Sequence, residues 1–404
     1  ASLDGPGPTL LNGTITLEGS ASAEALEFQS GILTGSCEIR RGFRWTGGSM
    51  GSLWLRLGPG NHRIAGDGGQ TLQNAALINA GHLVADAAVV GLLFNGYSQS
   101  ATLTNEPSGI IELRADSRFR QANSGGWPPA LLAWVNQGQI VSTTAGTNWI
   151  ESIPLHNSGS VEVIEGTLLQ AGGGTSAGTF EVGAAGRFEF STGTYDYDGS
   201  RWFGPGPSAI VASATVQGTF VADNFRLEQG DLSGACTIGG GFHWLGGNLV
   251  NAQLRLGAGE HRISGPDSKG LLASSLANAG HLVFEEATVG LLFTGYSQMA
   301  VLTNEADGQM DLENGARIEQ RNGGGWPPTA IGVFNEGTLR KVDGGVAVLA
   351  AVPLVNQGAC EVIDGILRVE GNATFESTGK LTVSLGAGPA LDVTGTAALA
   401  GAIE

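Results

Sequence analysis

Positive charge is scarce in this chain: 20 Lys and Arg stand against 37 Asp and Glu in 404 residues, a formal net charge of −17. A nucleic-acid surface must neutralise phosphates with clustered Lys and Arg. No such cluster is visible, so no nucleic-acid partner is expected, and the same deficit argues against docking on an anionic membrane. Long apolar runs are also missing. None approaches the roughly 18 residues that a membrane-spanning helix needs, so no membrane insertion is expected. Cysteine is rare, and its odd count of 3 excludes a complete disulfide framework. Cys37, Cys236 and Cys360 instead read as small buried hydrophobes. Helical periodicity is absent as well, with no convincing amphipathic run.

What the chain has is glycine, 67 residues or more than twice the usual share, together with 41% hydrophobic residues. That apolar content is enough for a core, so disorder is not expected. Abundant glycine without helix-forming runs indicates many short strands joined by tight turns.

Internal repetition decides the architecture. Gly91-Leu92-Leu93-Phe94 returns as Gly290-Leu291-Leu292-Phe293, an offset of 199 residues. Trp45-Thr46-Gly47-Gly48 meets Trp244-Leu245-Gly246-Gly247 at that offset, His62-Arg63-Ile64 meets His261-Arg262-Ile263, and Gly126-Trp127-Pro128-Pro129 meets Gly325-Trp326-Pro327-Pro328. A finer period lies inside each copy. Asn-x-Gly turns at Asn79, Asn136 and Asn157, with a looser one at Asn105, recur at Asn278, Asn335, Asn356 and Asn304. Asn tolerates the left-handed backbone and Gly supplies positive φ, so each is a corner. Alternation follows the corners and is clearest in Leu53-Trp54-Leu55-Arg56-Leu57, with leucines inward and Arg56 outward.

Corners spaced by about 20 to 30 residues match one coil of a solenoid. The expected fold is therefore all-β, a right-handed parallel β-helix of two tandem copies, 1–199 and 200–404, continuous with each other. The alternative is two separate β-sandwich or propeller-like domains. Those folds repeat their hairpins at shorter spacing, and no low-complexity linker divides the copies.

The stretch Pro154-Leu155-His156-Asn157-Ser158-Gly159-Ser160-Val161-Glu162-Val163-Ile164-Glu165-Gly166-Thr167-Leu168 resembles the coil of bacterial exported β-helix repeat proteins. Gly178-Thr179-Phe180-Glu181-Val182 is similar to a following coil, and Asp392-Val393-Thr394-Gly395 resembles the strand-turn-strand near their C-terminal regions. The resemblance implies a pectin-lyase-like or autotransporter-passenger-like solenoid, an extracellular or cell-surface location, and usually no enzymatic activity. It also leads us to expect that the chain is a piece of a larger surface protein.

Catalytic motifs are sparse. No Gly-x-Ser-x-Gly, His-Glu-x-x-His or Cys-x-x-Cys occurs. Of six histidines, His62/His261 and His82/His281 are duplicated and are expected to satisfy nearby backbone groups. In Tyr195-Asp196-Tyr197-Asp198, strand alternation puts Asp196 and Asp198 on one face, where they could hold Ca²⁺ or act as an acid/base pair. Trp45 and Trp244 read as packing residues. Trp127 and Trp326, in proline-containing loops, together with Tyr97 and Tyr296, are the candidate ligand-binding aromatics. The expected function is a non-catalytic structural or adhesive module that binds a polysaccharide or extracellular matrix. The alternative is a polysaccharide lyase or glycoside hydrolase on a β-helix.

Overall fold

The computed structural model describes residues 2–3, 9–66, 68–94, 98–123, 131–293, 295, 298–313, 315–322, 330–383 and 391–403. The chain divides into two compact units, Ala1–Ser208 and Ala209–Glu404. Among the described residues there is no helix, and the strands pair in parallel from coil to coil. Parallel pairing requires a long connection between partner strands, which a coil supplies and a hairpin does not. The sandwich and propeller alternatives are thereby set aside.

A coil of the first unit carries three strands, one per face. Gln70–Gln73 lies on the first face, Ala75–Asn79 on the second and His82–Asp86 on the third. The next coil repeats them as Val89–Phe94, Ser100–Asn105 and Ile110–Arg114, each paired to its predecessor. The second unit does the same with Lys269–Leu272, Ser275–Asn278 and His281–Glu285, followed by Thr288–Phe293, Met299–Asn304 and Gln309–Leu312.

Each position in a coil stacks on its equivalent in the next, so the core consists of columns. Inside the second face of the first unit, Cys37, Leu55, Leu77, Leu103, Trp134 and Leu155 form one such column, all buried. Cys236, Leu254, Leu276, Leu302, Val333 and Leu354 form its counterpart in the second. Burial of each leucine stabilises by about 1.5–3 kcal/mol relative to exposure.

At the corner after this face, the inward column changes from Leu57 to asparagine: Asn79, Asn105, Asn136 and Asn157 follow one another, all buried. Each Nδ2 donates to the Oδ1 of the next asparagine, at 2.8, 2.8 and 2.7 Å. Each also donates to backbone carbonyls at its own corner and the next, as Asn105 does to Gly109 and Gln139. The second unit repeats the ladder through Asn278, Asn304, Asn335 and Asn356. The ladder residues are separated by 26, 31 and 21 positions in both units. Buried polar groups are costly unless paired, and here every amide is paired along the stack.

Candidate functional site

Functional groups on this fold can only sit on outward-facing columns or at corners, because inward positions are filled. The duplicated histidines divide on that rule. His62 and His261 point inward, and their Nε2 atoms meet the carbonyls of Gly58 and Gly257 at 2.8 and 2.9 Å. Burial pushes both imidazoles below the ordinary histidine value, outweighing those backbone bonds, so they stay neutral. His82 and His281 differ from the expectation of backbone partners. They face outward on the third face and bond carboxylates instead, Glu112 at 3.0 Å and Asp311 at 2.9 Å.

Those carboxylates are also held by cations. Arg114 Nε donates to Glu112 at 2.6 Å and the Thr143 hydroxyl donates to the same carboxylate at 2.9 Å, while Arg340 donates to both oxygens of Asp311 at 2.8 and 2.6 Å. Burial raises each carboxyl, but these bonds outweigh it and hold both below the usual carboxylate range. A histidine oriented by a carboxylate is half of a nucleophile-activating set. Among the described residues no hydroxyl or thiol hydrogen-bonds either imidazole.

Asp196 and Asp198 are both exposed, alternating with buried Tyr195 and Tyr197. Asp196 ends the strand Gly193–Asp196 and accepts from the Asp198 backbone N–H at 3.3 Å, a local turn contact. On the outer second face Asp196 stacks on Thr175, which stacks on His156. His156 Nδ1 lies 2.9 Å from Thr175 Oγ1. These side chains and Asp198 line a cleft of about 310 Å³ that sequence reasoning did not assemble, since its members lie a coil apart. Ca²⁺ takes about six to eight oxygens. Among the described residues no group of three or more His, Cys, Asp or Glu converges to hold a metal.

Trp127, Trp326, Tyr97 and Tyr296 lie outside the described residues. Trp45 and Trp244 are fully buried, and their indole N–H groups donate to Gly47 and Gly246 at 2.9 and 3.0 Å, which accounts for the duplicated Trp-x-Gly-Gly. Cys37, Cys236 and Cys360 are free and buried, and burial pushes their thiols up to about 11, 12 and 12.

The same outer second face carries a feature found in both units. Arg56 donates to Glu106 through Nε at 3.1 Å and Nη2 at 2.6 Å, and Arg255 donates to Glu305 through the equivalent atoms at 2.9 and 2.6 Å. Beside each arginine runs a shallow groove whose lining corresponds position by position. It passes Gly19, Ser36, Trp54 and Arg56 in the first unit, and Gly218, Ala235, Gln253 and Arg255 in the second.

Comparison of the chain with protein-family models, with curated proteins and with solved structures finds no match in any of the three.

Proposed function

We propose that the chain is a non-catalytic structural or adhesive module of a secreted or cell-surface bacterial protein that binds a polysaccharide or matrix. The observation that carries this reading is the use of outward charges as cross-coil ties in both units. Arg56–Glu106 and Arg255–Glu305 span coils, and the His82–Glu112 and His281–Asp311 pairs do the same on the third face. A carboxylate held by arginine stays ionised and cannot act as a general acid near neutral pH. An extended face of repeated, stiff, polar columns suits attachment to a repetitive partner.

A polysaccharide-cleaving reading has one observation in its favour. Burial, together with repulsion from Glu285 and Asp343, raises the Glu313 carboxyl above its ordinary value. The discriminating experiment incubates the full chain with neutral and acidic polysaccharides, measuring retention by co-sedimentation and cleavage by reducing-end and unsaturated-product assays. Retention without product is expected. Product release that disappears in Glu313→Gln would replace the adhesive reading with the catalytic one.

A further inference from the structure

Among the described tryptophans, Trp54 is the exposed one. The residue is 43% accessible, whereas Trp45, Trp134, Trp202 and Trp244 are buried and Trp149 is half-buried under Arg118. An indole left on an outer strand face loses the apolar burial worth about 1.5–3 kcal/mol that the other large side chains gain. Its surroundings keep it open. Trp54 stacks on Ser36 in the coil before it and Ala76 in the coil after, and the column continues through Thr102 and Ala133. No large side chain of that column covers the ring. Gly35, at φ +103°, lets the preceding coil approach so closely that a Cβ there would lie 2.3 Å from the Leu17 carbonyl oxygen, which keeps the groove floor flat.

The neighbouring outward column supplies polar groups already fixed in place. Arg56 bridges Glu106 and Glu38, the latter through Nη1 at 2.8 Å, and Glu38 also accepts from Arg40 at 3.2 and 3.3 Å. The Arg56 and Glu38 side chains remain 29% and 21% exposed, so both can still bond a ligand along the groove. A carboxylate and a guanidinium locked together lose little side-chain entropy when they do so. The groove has a volume of about 600 Å³.

From this arrangement we infer that the Trp54 groove of the first unit is a binding site for a neutral saccharide. The indole takes the C–H face of a pyranose ring, Glu38 accepts from its hydroxyls and Arg56 donates to them. A ring with an apolar face and a polar edge matches a surface that is aromatic on one side and hydrogen-bonding on the other. Charge decides against an acidic sugar. Arg56 is already neutralised by two carboxylates, Glu18 lies on the rim, and the whole chain carries −17. The second unit provides an internal contrast: Gln253 replaces Trp54 and Thr237 replaces Glu38, while Arg255–Glu305 remains. That groove keeps the structural tie and lacks the platform and the acceptor.

This inference rests on the adhesive reading and names its ligand class. The test uses the full chain, titrated calorimetrically with cello-, xylo-, manno- and laminari-oligosaccharides and with oligogalacturonate as the acidic arm. At least one neutral oligosaccharide is expected to bind, and Trp54→Ala to weaken it by more than about tenfold, the loss typical of a central aromatic contact. Glu38→Gln is expected to weaken it less, Gln253→Ala to leave it unchanged, and melting to be unaltered in all three. Binding by the wild-type chain that survives Trp54→Ala would overturn the site and leave the adhesive reading standing. Failure of the wild-type chain to bind any of these oligosaccharides would overturn the site, and failure to be retained by any polysaccharide in the co-sedimentation assay would overturn carbohydrate adhesion as well. Preference for oligogalacturonate, or a Trp54→Ala effect on self-association instead of sugar binding, would overturn the ligand class.

Discussion

Single residues show where the two units solved one problem differently. At the corner before the first face, Gln70 is buried and donates to the Ala65 carbonyl at 2.9 Å, and Lys269 occupies its place in the second unit, donating to Gly265 and Asp267 carbonyls at 2.9 and 3.0 Å. Burial lowers the Lys269 ammonium below its usual value, against the pull of Asp267. A cation held this way costs desolvation that an amide avoids. Lys269→Gln is therefore expected to preserve the fold and to leave stability unchanged or raise it by up to about 1 kcal/mol, read from urea midpoints at neutral pH. The buried thiols set an alkaline limit. Their folded values lie near 11 and 12 against an ordinary 9.0, and burial raises Tyr195 and Tyr197 as well. Folded values above unfolded ones mean that this stability is complete below the unfolded value and is lost as pH rises toward the folded one. The urea midpoint is expected to fall between about pH 9 and pH 11, and a thiol reagent at neutral pH to label none of the three cysteines before unfolding. Sequence alone placed the cysteines inside and Arg56 outside, because alternation declares a side. It could not pair Arg56 with Glu106, 50 positions away, since coil lengths vary and set which rungs align.

The asparagine ladder is the element that makes a coil into a stack. Its members were legible as corners because Asn-x-Gly is a turn signal whatever the fold. Their joining into one hydrogen-bonded column was not, because it depends on every coil returning to the same phase. Asn105 shows how much hangs on one amide: it accepts from Asn79 and donates to Gly109, Asn136 and Gln139. Asn105→Asp keeps the size, but removes the donor and aims a carboxylate at three acceptors. A loss of about 2–4 kcal/mol is expected, with Asn105→Ala milder, both measured by denaturant unfolding. Recovery of the Asp variant at a pH low enough to protonate it would identify charge as the cause.

At the scale of the whole molecule, a solenoid coil packs mainly on the coils next to it, and its longest ties, such as Arg56–Glu106, reach one coil further, so damage should stay local. In Asn105→Asp, faster amide exchange is expected in the coils around Asn79 and Asn136 and unchanged exchange around Asn304 and Asn335, measured by hydrogen–deuterium exchange. The unequal ladder spacing also bears on how the chain reaches its fold. Equal coils would let a strand pair one rung early or late with every leucine still inside. With separations of 26, 31 and 21 positions, a slipped rung leaves one connection too short and the next too long, so mispairing within a unit is penalised. The protection stops at the unit. The second unit repeats the same separations, so its coils are cut to the measure of the first. Refolding of concentrated chains is accordingly expected to yield exchanged dimers, absent on refolding at high dilution, in which one chain's ladder is completed by asparagines from another.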